Sequence, residues 1–300
     1  MLWWLLFAAV AAHAGGIPTL AEVKVTAGEE GLIGEAASAT EGTVTAAQLE
    51  NRPLLRPAEV LEVVPGLIVS QHSGDGKANQ YYLRGFNLDH GTDFAASVLG
   101  MPGNLPTNAH GQGYLDLQFL IPELVERMQY RKGPYAADTG DFATAGAVAI
   151  DYFRQLDADF VQATVGQDGY RRALLAGSPE AGAGRLLYAF EWTANDGPWQ
   201  VPENIGKQNA LLRYSLGTRD NGWSVAAMAY RATWDSTDQV PQRAVDVGLI
   251  GRYGSLDPTD GGRVGRYSLS GEWSAKSGDR WSRANAYVID YSLDLWSNFT

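Results

Sequence analysis

Strict alternation of apolar and polar positions dominates the second half of the chain. In 267–276, Tyr267, Leu269, Gly271, Trp273 and Ala275 share one side, and Ser268, Ser270, Glu272, Ser274 and Lys276 the other. In 185–193, Leu186, Tyr188, Phe190 and Trp192 oppose Glu191 and Thr193. In 209–217, Ala210, Leu212, Tyr214 and Leu216 oppose Asn209, Arg213 and Ser215. In 286–296, Tyr287, Ile289, Tyr291, Leu293 and Leu295 oppose Asp290, Ser292 and Asp294. A period of two marks a half-buried β-strand. The stretches 160–166, 170–178 and 223–234 read as further strands, which makes 156–300 all β.

Across the clean strands the apolar sides carry no Asp, Glu, Lys or Arg, while the opposing sides hold Glu191, Arg213, Glu272, Lys276, Asp290 and Asp294. This predicts a wall with lipid on one face and water on the other, because a cation facing the bilayer midplane costs about 2–4 kcal/mol. The connections agree: 179–184, 218–222 and 277–280 are short, and 195–206 and 235–262 are long. Outer-membrane barrels have short periplasmic turns and longer outer loops. The connection 167–169 breaks that rule. A soluble β-sandwich competes, but its strands usually run only about 5–6 residues.

The first half has a different grammar. Pro57–Val64 reads as a short helix with Pro at its start, stopped by Pro65-Gly66. Leu67–Ser70 and Gln80–Arg84 read as strands, Leu120–Arg127 as a second short helix, and Met128–Arg131 and Ala145–Ile150 as strands again. Between them lie loops rich in Gly, Asn, Asp and His at 71–80, 85–97 and 100–114. Loops of that size in a compact domain are usually functional.

Composition narrows the class. With 45% hydrophobic and 19% charged residues, the chain is neither disordered nor a helical membrane protein. Abundant Gly with 9 Trp and 14 Tyr suits strands, tight turns and membrane-interface girdles. Cysteine is absent, which excludes disulfides and thiolate metal sites. A net charge of −11 argues against a nucleic-acid partner. Met1–Ala14 is apolar, ends in Ala12-His13-Ala14 and predicts a secretory signal cleaved near Ala14. It lacks a basic n-region, so a plain N-terminal anchor or a misassigned start stays open. No G-x-S-x-G, P-loop or H-E-x-x-H motif is present, and neither enzymatic activity nor a cofactor is expected.

Four segments together resemble the plug domain of TonB-dependent outer-membrane receptors. Pro57–Gly66 is similar to that family's early plug helix and V-P-G turn, and Leu83-Arg84-Gly85 resembles its I/L-R-G motif. Ile121–Arg127 through Arg131-Lys132-Gly133-Pro134-Tyr135 resembles I-E-R-V-E-V-x-R-G-P, and Gly140–Ile150 resembles the closing G-x-x-A-x-G-G-V-x-N-I. Their order and spacing carry the resemblance, which covers nearly the whole chain beyond the signal. Two positions depart from the pattern, Lys132 before Gly133-Pro134 and Asp151 after Ile150, and they suggest a divergent subfamily.

The resemblance implies an α+β plug domain followed by antiparallel transmembrane β-barrel strands. The barrel is expected to be incomplete, at about seven strands of the roughly 22 such transporters use, and so a fragment unable to transport as written. The expected division is signal peptide 1–14, an N-terminal extension 15–45, plug 46–155 and barrel strands 156–300. Glu22-Val23-Lys24-Val25-Thr26-Ala27 resembles a TonB box, with an ordinary linker strand as the alternative. The implied function is TonB-dependent import of a scarce ligand across the outer membrane, a metal chelate such as an iron–siderophore first. Free metal, cobalamin or a saccharide is the alternative. The implied partners are TonB, outer-membrane lipid and a small molecule. Candidate ligand-binding residues are His72, Asp75, Asp89, His90, Asp93, His110 and Gln112, where imidazoles beside carboxylates suit a metal or its chelate, with hydrogen bonds from plug loops to the barrel wall as the favoured reading of the histidines. Arg84, Gly85, Arg131, Gly133 and Pro134 are expected to be structural, Arg84 through a salt bridge to the barrel.

Overall fold

The chain folds as an N-terminal α+β unit seated against one curved antiparallel wall. The structure, a computed structural model, describes residues 35–36, 38–50, 52–71, 74–235 and 238–298; the predicted signal 1–14 and the box-like 22–27 lie outside them. The N-terminal unit holds strands β1 (Glu35–Ala36), β2 (Glu41–Thr45), β3 (Leu67–Ser70), β4 (Gln80–Leu83), β5 (Phe86–Asn87), β6 (Phe94–Val98), β7 (Met101–Pro102), β8 (Val125–Lys132) and β9 (Gly146–Tyr152). One sheet runs β1-β2-β8-β9-β6-β7 and a smaller one β3-β4-β5. Among the described residues only the β6–β9 pairing is parallel. The sheet begins ahead of residue 46, because β2 pairs with β8 from Glu41↔Arg131 to Thr45↔Arg127.

Both predicted short helices are single 3-10 stretches. The first spans Pro57–Val63 and buries Ala58, Val60 and Leu61. The second is confined to Pro122–Leu124, a correction to the helix expected over 120–127. The Pro there starts a turn, but Val125 begins β8, where buried Met128, Tyr130 and Lys132 alternate with Gln129 and Arg131. Arg84 likewise leaves its predicted strand. With φ of 54° at Arg84 and 79° at Gly85, the pair forms a two-residue hairpin between β4 and β5. Both positive φ values suit the primed hairpin turns, and Gly takes the second position without strain.

The wall comprises β10 (Phe160–Val165), β11 (Arg171–Gly177), β12 (Glu180–Ala181), β13 (Gly184–Asn195), β14 (Ile205–Gly217), β15 (Gly222–Asp235), β16 (Gly261–Ser277) and β17 (Arg280–Trp296). The order is β10-β11-β13-β14-β15-β16-β17, with β12 on the side of β13, and the sheet is not closed. Every predicted wall strand is present. Register gives each face a consistent chemistry. Tyr188, Leu212, Ala227, Leu269 and Val288 stand opposite one another on the outer face, an uncharged row. On the inner face Glu191, Asn209, Tyr230 and Arg266 align and are each at least 96% buried.

The last strand reverses the predicted facing. Asp290 pairs with outward Tyr267, and Asp294 with Arg263, so Asp290, Ser292 and Asp294 point out while Ile289, Tyr291, Leu293 and Leu295 pack inward. The physical reason is length. A strand crosses a bilayer with about 9–11 residues, whereas β16 and β17 run 17 each. Toward the end away from the 277–280 connection the Arg263–Asp294 pair (2.6 Å) is exposed. On the inner face of β17, Ile289, Tyr291, Leu293 and Leu295 pack against the core, and Asn285 Nδ2 donates to the Gly100 carbonyl at 2.8 Å.

Candidate functional site

Three side chains singled out from sequence converge between β5 and β9. Ligand atoms of Asp89, His90 and His110 all lie within 4.8 Å of one another. The His90 and His110 rings meet edge-on at 4.5 Å between centroids, and Tyr114 packs beside both at 5.6 and 6.0 Å. His90 is buried, whereas Asp89 and His110 are exposed.

Local backbone chemistry fixes each of them. Asn87 Oδ1 accepts the Asp89 N–H and Asn108 Oδ1 accepts the His110 N–H, both at 2.9 Å, so the same side-chain turn sets two of the three residues. Asp89 takes the left-handed conformation, φ 50°, that Asp tolerates better than most residues. His90 Nδ1 bonds the Asn79 carbonyl at 3.0 Å. A carbonyl only accepts, so Nδ1 carries the hydrogen, and Nε2 lies 3.9 Å from Asp89 Oδ1.

Asn104 staples these loops together. Its amide donates to the carbonyls of Gly91, Phe94 and Gly113, and its oxygen accepts the Ala96 N–H, at 2.9–3.1 Å. Leu115 N–H donates to the His90 carbonyl at 2.7 Å, which holds the two histidine loops side by side. The Ala78 N–H donates to the Tyr114 hydroxyl at 3.0 Å.

The remaining candidates lie elsewhere. His72 is outside the described residues. Asp75 faces the wall: its N–H donates to Glu203, its carboxylate accepts Asn195 Nδ2 at 3.1 Å, and Arg56 lies 3.5 Å away. Burial and the neighbouring Asp75 carboxylate push the Glu203 carboxyl up to about 7. Asp93 accepts the Thr144 hydroxyl, and Gln112 contributes only its carbonyl, to Thr92. Arg84 is exposed and makes no ion pair with the described wall; its N–H donates to Gly66 at 2.8 Å. Arg131 pairs with Asp138 at 2.7 Å, and a Cβ on Gly133 (φ 92°) would meet the Tyr135 ring at 2.5 Å.

The seam between N-terminal unit and wall is largely polar. Arg172 of β11 makes a two-pronged contact with Glu123 at 2.6 and 2.9 Å and bonds Glu191 at 2.7 Å. Arg219 bridges Glu126 and Asp151, the latter at 2.5 Å, and Arg127 adds 3.1 Å. Burial raises the Asp151 carboxyl, but those two guanidinium groups outweigh it and hold it below the usual carboxylate range. This explains Asp at the position that departs from the family pattern. Lys77 reaches Asp238 at 3.0 Å and Ser297 at 3.1 Å. A cleft of about 570 Å³ runs along the seam past Arg56, Glu123, Arg172 and Lys207.

Residues 35–147 match the family model described as the TonB-dependent receptor plug domain. Solved structures of similar fold include the unliganded ferric citrate transporter FecA, at 13% identity and a TM-score of 0.67, covering 86% of this chain and 41% of that one. The ferric yersiniabactin uptake receptor FyuA from Yersinia pestis matches at 16% and 0.62 over 86% of this chain and 42% of its own. The copper transporter OprC matches at 15% and 0.60 over 85% and 38%. The chain therefore spans about two fifths of the length of these solved chains, and at such identities the likeness is one of fold.

Proposed function

We propose that this chain, whose residues 35–147 are a TonB-dependent receptor plug domain, serves an outer-membrane receptor that imports a scarce ligand by energised remodelling of its plug. The polar seam carries the reading. Ion pairs such as Glu123–Arg172 and Asp151–Arg219 hold the plug to the wall. Charged contacts of this kind exchange for water at modest net cost, whereas an apolar seam of the same area would not. A plug held this way is ordered at rest and movable under load, a population shift driven from outside the domain. The long connections at 196–204 and 238–260 then face outward, and the short turns face the periplasm. The segment Glu22–Ala27 engages TonB as an added edge strand.

An iron–siderophore stands first among cargoes, because ferric ligands are named for several of the similar receptors. A metal ion without a chelator is the second reading, and the Asp89–His90–His110 cluster favours it. The test is uptake of ferric siderophores, cobalamin, Cu²⁺ and oligosaccharides in cells with and without TonB. Loss of uptake without TonB, and on deletion of 22–27, is expected; TonB-independent uptake would refute the energised mechanism.

A further inference from the structure

We infer that the plug loop 75–79 is a strap through which the wall's long connections and the plug's histidine loops set each other's order, with Lys77 as its positioning residue. That these connections face outward rests on the import reading above. The coupling itself rests on contacts within the chain alone.

The first three residues of the strap are gripped by the wall. The Asp75 N–H donates to Glu203 of the 196–204 connection, and its carboxylate accepts Asn195 Nδ2, at the end of β13, at 3.1 Å. Gly76 lies flat against Trp234 of β15, since a Cβ built there would stand 1.9 Å from the indole. Lys77 Nζ donates to Asp238 of the 238–260 connection at 3.0 Å and to Ser297, just past β17, at 3.1 Å. Ser297 Oγ in turn donates to Asp238 at 2.5 Å. The next two residues hold the plug apex. The Ala78 N–H donates to the Tyr114 hydroxyl, and the Asn79 carbonyl accepts His90 Nδ1, both at 3.0 Å. Gln118 Nε2 spans the two halves, reaching the Lys77 carbonyl at 3.2 Å and Asn79 Oδ1 at 3.3 Å. No residue intervenes between the Lys77 anchor on the wall and the Ala78 anchor on the plug.

Burial makes the strap two-state. The side chains of Lys77 and Asp238 are only 10% and 5% exposed. Part-way separation keeps both charges desolvated and forfeits their attraction, whereas full separation lets water solvate each. The strap is therefore closed or open rather than graded. Whatever opens it at Asp238 loosens Ala78 and Asn79 as well, and the converse holds because coupling between two sites is reciprocal.

Amide hydrogen exchange of the purified chain in detergent micelles tests this. Asp238→Asn keeps the side chain's size and removes its charge. Exchange at Ala78 and at Leu115, whose N–H groups donate to the Tyr114 hydroxyl and the His90 carbonyl, should speed up about fivefold or more. The amides of β14 should keep their rates. In return, Tyr114→Phe should speed exchange within 238–260, at Leu249 for one, whose N–H donates to the Ala244 carbonyl. Should Asp238→Asn fail to fold, Ser297→Ala removes the second Lys77 acceptor, and the same change is expected at smaller size. Faster exchange confined to 238–260 in the wall variant, or no change there in Tyr114→Phe, overturns the inference and leaves Lys77–Asp238 a local anchor. Neither TonB nor cargo takes part, so absence of TonB-dependent uptake would refute the import reading and leave the coupling standing.

Discussion

The Tyr291 hydroxyl donates to the Asp116 carboxylate across 3.1 Å, tying wall strand β17 to the plug. Asp116 is buried, and its second oxygen accepts the Gln118 N–H at 2.9 Å. Burial pushes its carboxyl up, opposed by these hydrogen bonds and by the Arg266 and Lys207 charges. Tyr291→Phe keeps the ring and removes the donor, which leaves a buried acceptor short of a partner. The expected loss is about 1–3 kcal/mol of plug stability, measured as a lower denaturant midpoint; an unchanged midpoint would mean the bond contributes nothing.

Asn104 satisfies three carbonyls and one N–H within the 91–113 stretch. Asn104→Ala orphans several buried polar groups at once, and each costs about 1–3 kcal/mol. The expected loss is at least about 3 kcal/mol, with faster amide hydrogen exchange at Ala96 and Leu115 than in the rest of the plug. Uniform exchange across the plug would remove Asn104 from its role as staple.

The wall was legible from its pattern, and the plug loops were not. Alternation located Phe190, Trp192, Leu212 and Leu269 on the exposed outer face because successive side chains of a strand point to opposite sides of the sheet. β17 defeated the same reasoning, since Leu293 and Tyr291 pack on a plug core that periodicity cannot see. The histidine loops were visible as composition, but the pairing of His90 with His110 depends on Asn104 and on the β6–β9 crossover, both long-range. A local signal did exist: Asn87-x-Asp89 and Asn108-x-His110 are matching side-chain turns. Glu203 and Asp116 carried none, because their chemistry comes from burial by distant residues.

Two glycines separate backbone strain from crowding. Gly85 has φ of 79° and open space around a built Cβ, so Gly85→Ala should cost only about 1–2 kcal/mol. Gly91 has φ of 110°, and an added Cβ would lie 2.5 Å from the Leu115 Cβ and 3.2 Å from the Gly113 carbonyl. Strain and overpacking then add, to at least about 3 kcal/mol. Thermal midpoints of the two variants should differ accordingly. Equal midpoints would show that the loop at Gly91 relaxes freely.

Glu203 gives the contact between the 74–79 loop and the outer loop a dependence on pH. Its carboxyl accepts the Asp75 N–H and a Trp199 bond, faces the Asp75 carboxylate and the more distant Arg56 charge, and is pushed up to about 7 by burial and Asp75. A carboxyl raised above its unfolded value takes up its proton on folding. Its contribution is therefore complete below an unfolded value of about 4.5 and lost as pH rises through about 7. The difference is about 3 kcal/mol. Protection of the Asp75 amide, corrected for intrinsic exchange, should fall roughly tenfold or more between pH 6 and pH 8.5. Glu203→Gln keeps a neutral acceptor and should hold that protection level across the range. A flat wild-type profile, or the same slope in Glu203→Gln, would place the pH dependence elsewhere.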